Sequence, residues 1–178
     1  MKEYEWGMAI GIIAGIVVGG ILGLLLLKMT KKDGAVKCKY DERQRAARGL
    51  GYKYGFFAFL FYNAGYAILS ILAPKMPLDS AAGMLLGIIV AVAVNVTYCI
   101  WHDAYFALNE HRFRVMVAFI IIAAVNLIIG ICNIVRGSCF QDGVCNFRIT
   151  NLFCGLLFVE IFIVMLLKWG KEMENEEG

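Results

Sequence analysis

The chain has 178 residues, 61% hydrophobic and only 17% charged, with a formal net charge of +3. A soluble domain carries about a quarter of its residues as Asp, Glu, Lys or Arg, so a soluble enzyme and a nucleic-acid-binding module are both poor fits. The charge is gathered into islands between apolar runs of roughly 20 residues, the length that crosses about 30 Å of hydrocarbon.

The first span is predicted at Gly7 to Leu27, GMAIGIIAGIVVGGILGLLLL. A cleaved signal peptide carries positive charge ahead of its apolar run and a small-residue cleavage site behind it. Here the leader MKEYEW is roughly balanced and the basic cluster follows the run. This order predicts a retained helix with its N-terminus outside. The span carries Gly7, Gly11, Gly15, Gly19 and Gly23 at an unbroken spacing of four. Small residues let helix backbones approach closely in lipid. The stripe is therefore a packing face, for this chain's own bundle or for a second copy or another membrane protein.

A basic island, Lys28–Lys53, comes next. Near an anionic leaflet each basic residue contributes about 1 kcal/mol of attraction. Lys37, Lys39, Arg43, Arg45 and Arg48 are thus candidate contacts for anionic lipid or a partner. From Tyr40 the island has helix formers and an Asp41–Arg45 pair at i,i+4. It reads as a short interfacial helix running into the second span, with Gly49 and Gly51 as the joint. Nucleic acid is not expected as a partner, because the island is short and lies at the bilayer.

The Tyr40-Asp41-Glu42-Arg43-Gln44 run before an aromatic-rich span resembles a group of small, uncharacterised multi-spanning prokaryotic membrane proteins. These place an Asp-Glu-Arg box ahead of a helical hairpin. The resemblance implies a helical bundle of four or five spans and supplies no active site.

The second span is predicted at about 54–73 and ends at the Pro74 to Pro77 turn. The third runs over about 82–101, followed by the amphipathic island HDAYFALNEHRFR. The fourth covers about 115–135, then the loop RGSCFQDGVCNFR, then the fifth span at about 150–167 and an acidic tail. With the N-terminus outside, the inner islands hold thirteen of the 17 Lys and Arg residues. The positive-inside rule then places the C-terminus in the cytosol. Cys139 and Cys145 flank an Asp142-Gly143 turn signal in the outer loop, where an oxidising compartment permits a disulfide.

Each later span has one strongly polar residue near its middle: Asn63, Asn95, Asn126 and Glu160. Gly87 and Ala91 lie in line with Asn95, and Ala123 and Gly130 with Asn126. Such small-and-polar faces point inward and hydrogen-bond between helices. Glu160 has no polar neighbour three or four positions away on its own helix. A carboxyl inside the bilayer costs about 2.5–3.5 kcal/mol on insertion scales, so a partner from another span is expected. Glu160 is then either a buried hydrogen-bond donor or a carboxyl that handles a cation or proton.

Phosphate-binding loops, zinc-protease boxes, nucleophile elbows and dinucleotide fingerprints are missing from the sequence. No metal, cofactor or catalytic set is expected. The sequence predicts an all-α integral membrane bundle of five transmembrane helices in one domain, in a prokaryotic plasma membrane. The leading functional expectation is a non-enzymatic accessory, regulatory or immunity-type subunit. It would contact the lipid bilayer and a membrane-protein partner or another copy. The alternative is a small oligomeric transporter or channel for a cation, proton or small solute.

Overall fold

The structure, a computed structural model, describes residues 17, 21, 31–32, 35–36, 40–108 and 112–177. The chain divides into two units, 1–39 and 40–178. In the first, β1 (Lys31–Lys32) pairs antiparallel with β2 (Ala35–Val36). The first predicted span and its glycine stripe lie outside the described residues, apart from the helical Val17 and Ile21. Lys37 and Lys39 also lie outside them.

The second unit is built on four helices. These are α1 (Glu42–Leu72), α2 (Ser80–Trp101), α3 (Arg112–Val135) and α4 (Thr150–Glu177). All four are long and apolar enough to cross a membrane. They contain the second to fifth predicted spans.

Local chemistry sets the helix ends. Asp41 caps α1 by accepting the Gln44 N–H at 2.6 Å, while Gln44 Oε1 accepts the Asp41 N–H at 3.2 Å. This capping box satisfies two backbone donors at once. At the far end Ala73 is extended (φ −85°, ψ 133°), the conformation that Pro74 imposes on the residue before it. Asp79 caps α2 through the Ala82 N–H at 2.6 Å. Beyond α3, Gly137 has φ +68°. Its N–H reaches the Ile134 carbonyl, and the Ser138 N–H reaches Asn133. That is a Schellman stop, and glycine takes its left-handed position without strain.

The expected joint at Gly49 and Gly51 is absent. Residues 42–53 of the basic island and the second predicted span, as far as Leu72, form one continuous 31-residue helix. A Cβ on Gly51 would stand 2.7 Å from the Asn95 amide oxygen. Gly51 is there to admit α2 rather than to bend α1.

Packing runs α1 on α2, α2 on α4 and α4 on α3. Burial follows that order: 6% of the apolar window of α1 is buried, against 28% for the segment containing α4. The main core gathers Ile100 of α2, Met116 of α3, and Leu157, Ile161 and Met165 of α4. Close approach depends on glycine. A side chain on Gly83 would overlap the Tyr66 ring, and one on Gly130 would stand 2.7 Å from the Leu152 backbone nitrogen.

The α3–α4 connection forms the hairpin β3 (Phe140–Gln141) and β4 (Val144–Cys145). Asp142 and Gly143 turn it, both with positive φ (52° and 73°), as a two-residue hairpin turn requires. The α1–α2 loop clips onto this hairpin. Asp79 N–H donates to the Cys145 carbonyl at 2.8 Å, and Cys145 N–H to the Pro77 carbonyl at 2.9 Å. Beneath lie Ala82, Cys139 and Ile149, a second small core.

These contacts rank the glycines. Gly130→Ala pushes against backbone that cannot swing away, and overpacking of this kind costs about 1–3 kcal/mol. Gly65→Ala meets nothing within 4 Å. Thermal unfolding in mild detergent is expected to show a clear loss for the first and none for the second.

Candidate functional site

At one end of the second unit, hereafter the charged end, the chain between α2 and α3 is held by side chains of α1. Gln44 is only 6% exposed. Its amide nitrogen donates to the carbonyls of Asp103 (2.6 Å) and Phe106 (3.2 Å). Arg48 donates to the Ala104 carbonyl at 3.3 Å and lies 4.3 Å over the Tyr40 ring. Tyr40 in turn donates its hydroxyl to the Tyr105 carbonyl at 3.4 Å. The sequence-predicted contacts thus divide. Arg48 is structural and half-buried, whereas Arg45 is exposed. Arg43 is exposed as well, reaching Asp103 only at 3.8 Å.

Asp103 adopts the left-handed conformation (φ 55°), which aspartate tolerates better than most residues. Its carboxylate meets Lys168 at 3.1 Å. Lys168 also meets Glu172 at 3.5 Å, and Glu172 meets Arg112 at 3.3 Å. Beneath this chain lies a cavity of about 230 Å³ with an apolar floor of Ile100, Met116 and Met165. Tyr105, Phe106 and Trp169 also line it. The rim charges neutralise each other, so the cavity suits an apolar or amphiphilic group better than a free ion.

The polar mid-span residues do not form one cluster. Thr97 of α2 donates its hydroxyl to Glu160 Oε1 at 2.6 Å. The expected partner from another span is therefore a threonine. Glu160 Oε2 is buried without a hydrogen-bond partner. Asn95 accepts from the Cys99 thiol at 3.5 Å and faces Gly51 of α1. Asn63 faces Gly87 and donates to the Phe59 carbonyl at 2.9 Å. Asn126 donates to the Ile122 carbonyl at 2.9 Å, one turn back on its own helix. The aligned Gly87, Ala91 and Asn95 do face α1, and Gly130 does face α4.

Cys139 and Cys145, between which an oxidising compartment permits a disulfide, are free thiols in the structure. They pack in the same small core near the hairpin. Burial pushes the Cys139 thiol up, with a smaller push from Cys145.

No protein-family model, curated protein or solved structure matches the chain.

Sequence reasoning missed Gln44 and Thr97. Gln44 carried a signal: aspartate followed three residues later by glutamine, ahead of an apolar run, marks a capping box. Thr97 was legible only as a hydroxyl within an apolar span.

Gln44→Leu leaves the Asp41 cap on the residue-44 N–H in place but removes the acceptor for the Asp41 N–H and the donor for two loop carbonyls. Orphaned buried groups cost about 1–3 kcal/mol, so detergent-state stability is expected to fall by that amount. Asp103→Asn keeps the turn and loses a half-exposed ion pair, a loss below about 1 kcal/mol. Equal losses would show that the ion pairs hold the loop as firmly as Gln44 does. For Cys139, a raised thiol pKa delays the thiolate to higher pH. Labelling by a water-soluble maleimide is expected to be slow at neutral pH and to accelerate above the ordinary thiol range.

Proposed function

We propose that this chain is a non-enzymatic multi-pass protein of the prokaryotic plasma membrane that works by binding another membrane component, as an accessory or regulatory subunit. The observation that carries this reading is Asn126. It lies mid-way along α3, at one end of the packing order. Among the described residues its amide bonds only the Ile122 carbonyl of its own helix. A primary amide offers two donors and an acceptor oxygen with two lone pairs. In lipid, such a group is satisfied across a helix–helix contact. A second copy or a different membrane protein supplies that contact.

The distribution of charge supports an orientation. Arg43, Arg45, Arg48, Lys53, Arg112, Arg114, Lys168 and Lys171 belong to the charged end, and Lys75, Arg136 and Arg148 to the other. This Lys and Arg bias favours a cytosolic charged end. The first predicted span, with its N-terminus outside, completes the proposed set of five.

One observation favours a second reading, a small oligomeric channel or transporter for a cation or small solute. Glu160 keeps a buried carboxyl oxygen without a partner.

The leading reading is tested by Asn126→Leu in native membranes. Interhelical hydrogen bonds in membrane proteins contribute about 0.6 kcal/mol on average and about 1.7 at most. Association is therefore expected to weaken about 3- to 18-fold. The readout is the crosslinked species identified by mass, at unchanged protein abundance. Crosslinking indistinguishable from wild type would remove Asn126 as the contact and this reading with it.

A further inference from the structure

Between α1, α2 and α4 runs a groove of about 770 Å³, within the range of pockets that hold drug-sized ligands. Tyr54 of α1 and Tyr98 and Trp101 of α2 provide aromatic surface, and Ala93 and Val94 provide apolar surface. Glu160 of α4 forms part of its lining and His102 stands at its edge. The Tyr54 and Tyr98 ring centroids are 5.0 Å apart with planes tilted by 60°. Thr97, which holds Glu160, stands five residues before His102, about 7.5 Å along the helix axis.

Two features give the groove a preference. Glu160 makes no ion pair among the described residues, and no Lys or Arg is among the described residues lining the groove. Aromatic faces attract cations, by about 0.5–2 kcal/mol depending on desolvation. The Lys171 ammonium already lies 5.9 Å from the Trp101 ring centroid, so this ring has a cation as a neighbour. A small hard ion requires about six to eight oxygen ligands, which these apolar and aromatic walls do not supply. A cation whose charge is spread under apolar substituents needs only one counter-charge and a hydrophobic surface.

We propose that this groove binds an amphiphilic organic cation, an ammonium or phosphonium bearing apolar or aromatic groups, with Glu160 as its counter-charge and Tyr54, Tyr98 and Trp101 as its walls. The proposal rests on the second functional reading for the role of Glu160. It requires binding and not transport. Among the described residues the groove is open on one side, where a ligand dissolved in the bilayer would enter laterally.

The test uses the purified full chain in lipid nanodiscs with tetraphenylphosphonium as probe, followed by equilibrium dialysis. Tetraphenylborate, of the same shape and opposite charge, is the control. Saturable phosphonium binding is expected, about tenfold or more weaker in Glu160→Gln, as loss of a desolvated counter-charge demands. Tyr98→Leu is expected to weaken it about 2- to 30-fold through the lost aromatic face. Equal binding by wild type and Glu160→Gln, equal binding of the borate, or no saturable binding overturns the proposal. Should Glu160→Gln fail to fold, Tyr98→Leu and Glu160→Asp decide by the same comparison. Flux in proteoliposomes separates the two ideas. Phosphonium binding without flux keeps the site and removes the transporter, whereas inorganic-cation flux without phosphonium binding does the reverse.

Discussion

The side chain of Gln44 does two things at once, and the charged end of the molecule depends on both. Its oxygen accepts the Asp41 N–H at the start of α1, and its nitrogen donates to the Asp103 and Phe106 carbonyls. The chain leaving α2 has lost its helical partners, so its carbonyls need donors from elsewhere. Gln44 supplies them from a buried position where water does not compete. With the loop fixed, Asp103 is presented to Lys168, and the Lys168–Glu172–Arg112 chain closes over the cavity. Surface ion pairs are individually weak. They decorate a loop that the amide has already positioned.

Within the spans a different constraint operates. Lipid is as apolar as a leucine side chain, so helices associate through close packing and a few polar contacts. Glycine provides the approach between α1 and α2 and between α3 and α4. Thr97 and Glu160 provide a polar contact between α2 and α4. The two antiparallel hairpins are thus tight inside and joined by α2 and α4, which run in the same direction.

The sequence made the helices legible because apolar length and charged punctuation are local properties. The turn at Asp142-Gly143, the stop at Pro74 and the faces through Gly87–Asn95 and Gly130 were readable for the same reason. What was not readable depends on which helix lies beside which. The four mid-span polar residues look alike in sequence, yet the packing order sends them to different neighbours. Among the described residues only Glu160 finds a side-chain hydrogen-bond partner on another helix, and that partner is a threonine that hydropathy alone does not single out. Gly51 looked like a hinge because glycine is both a helix breaker and a small residue. Only the position of Asn95 decides between those roles. Gln44 lies inside the charged Tyr40–Gln44 run, and only the folded position of the α2–α3 loop reveals what its neutral amide bonds.

The uninterrupted α1 has a mechanical consequence. At 1.5 Å per residue its 31 residues extend about 46 Å, well beyond the roughly 30 Å of hydrocarbon in a bilayer. The excess of about 16 Å is the end bearing Gln44 and the exposed arginines. Helices longer than the local bilayer adapt by tilting, and a rod without a hinge passes that tilt along its whole length. In a thinner bilayer, a greater tilt of α1 would move the arginine-bearing tip sideways. For a tilt change of 10° the travel is about 3 Å over that overhang. Gln44 and Arg48 tie the α2–α3 loop to that tip, so a tilt of α1 would carry the loop with it.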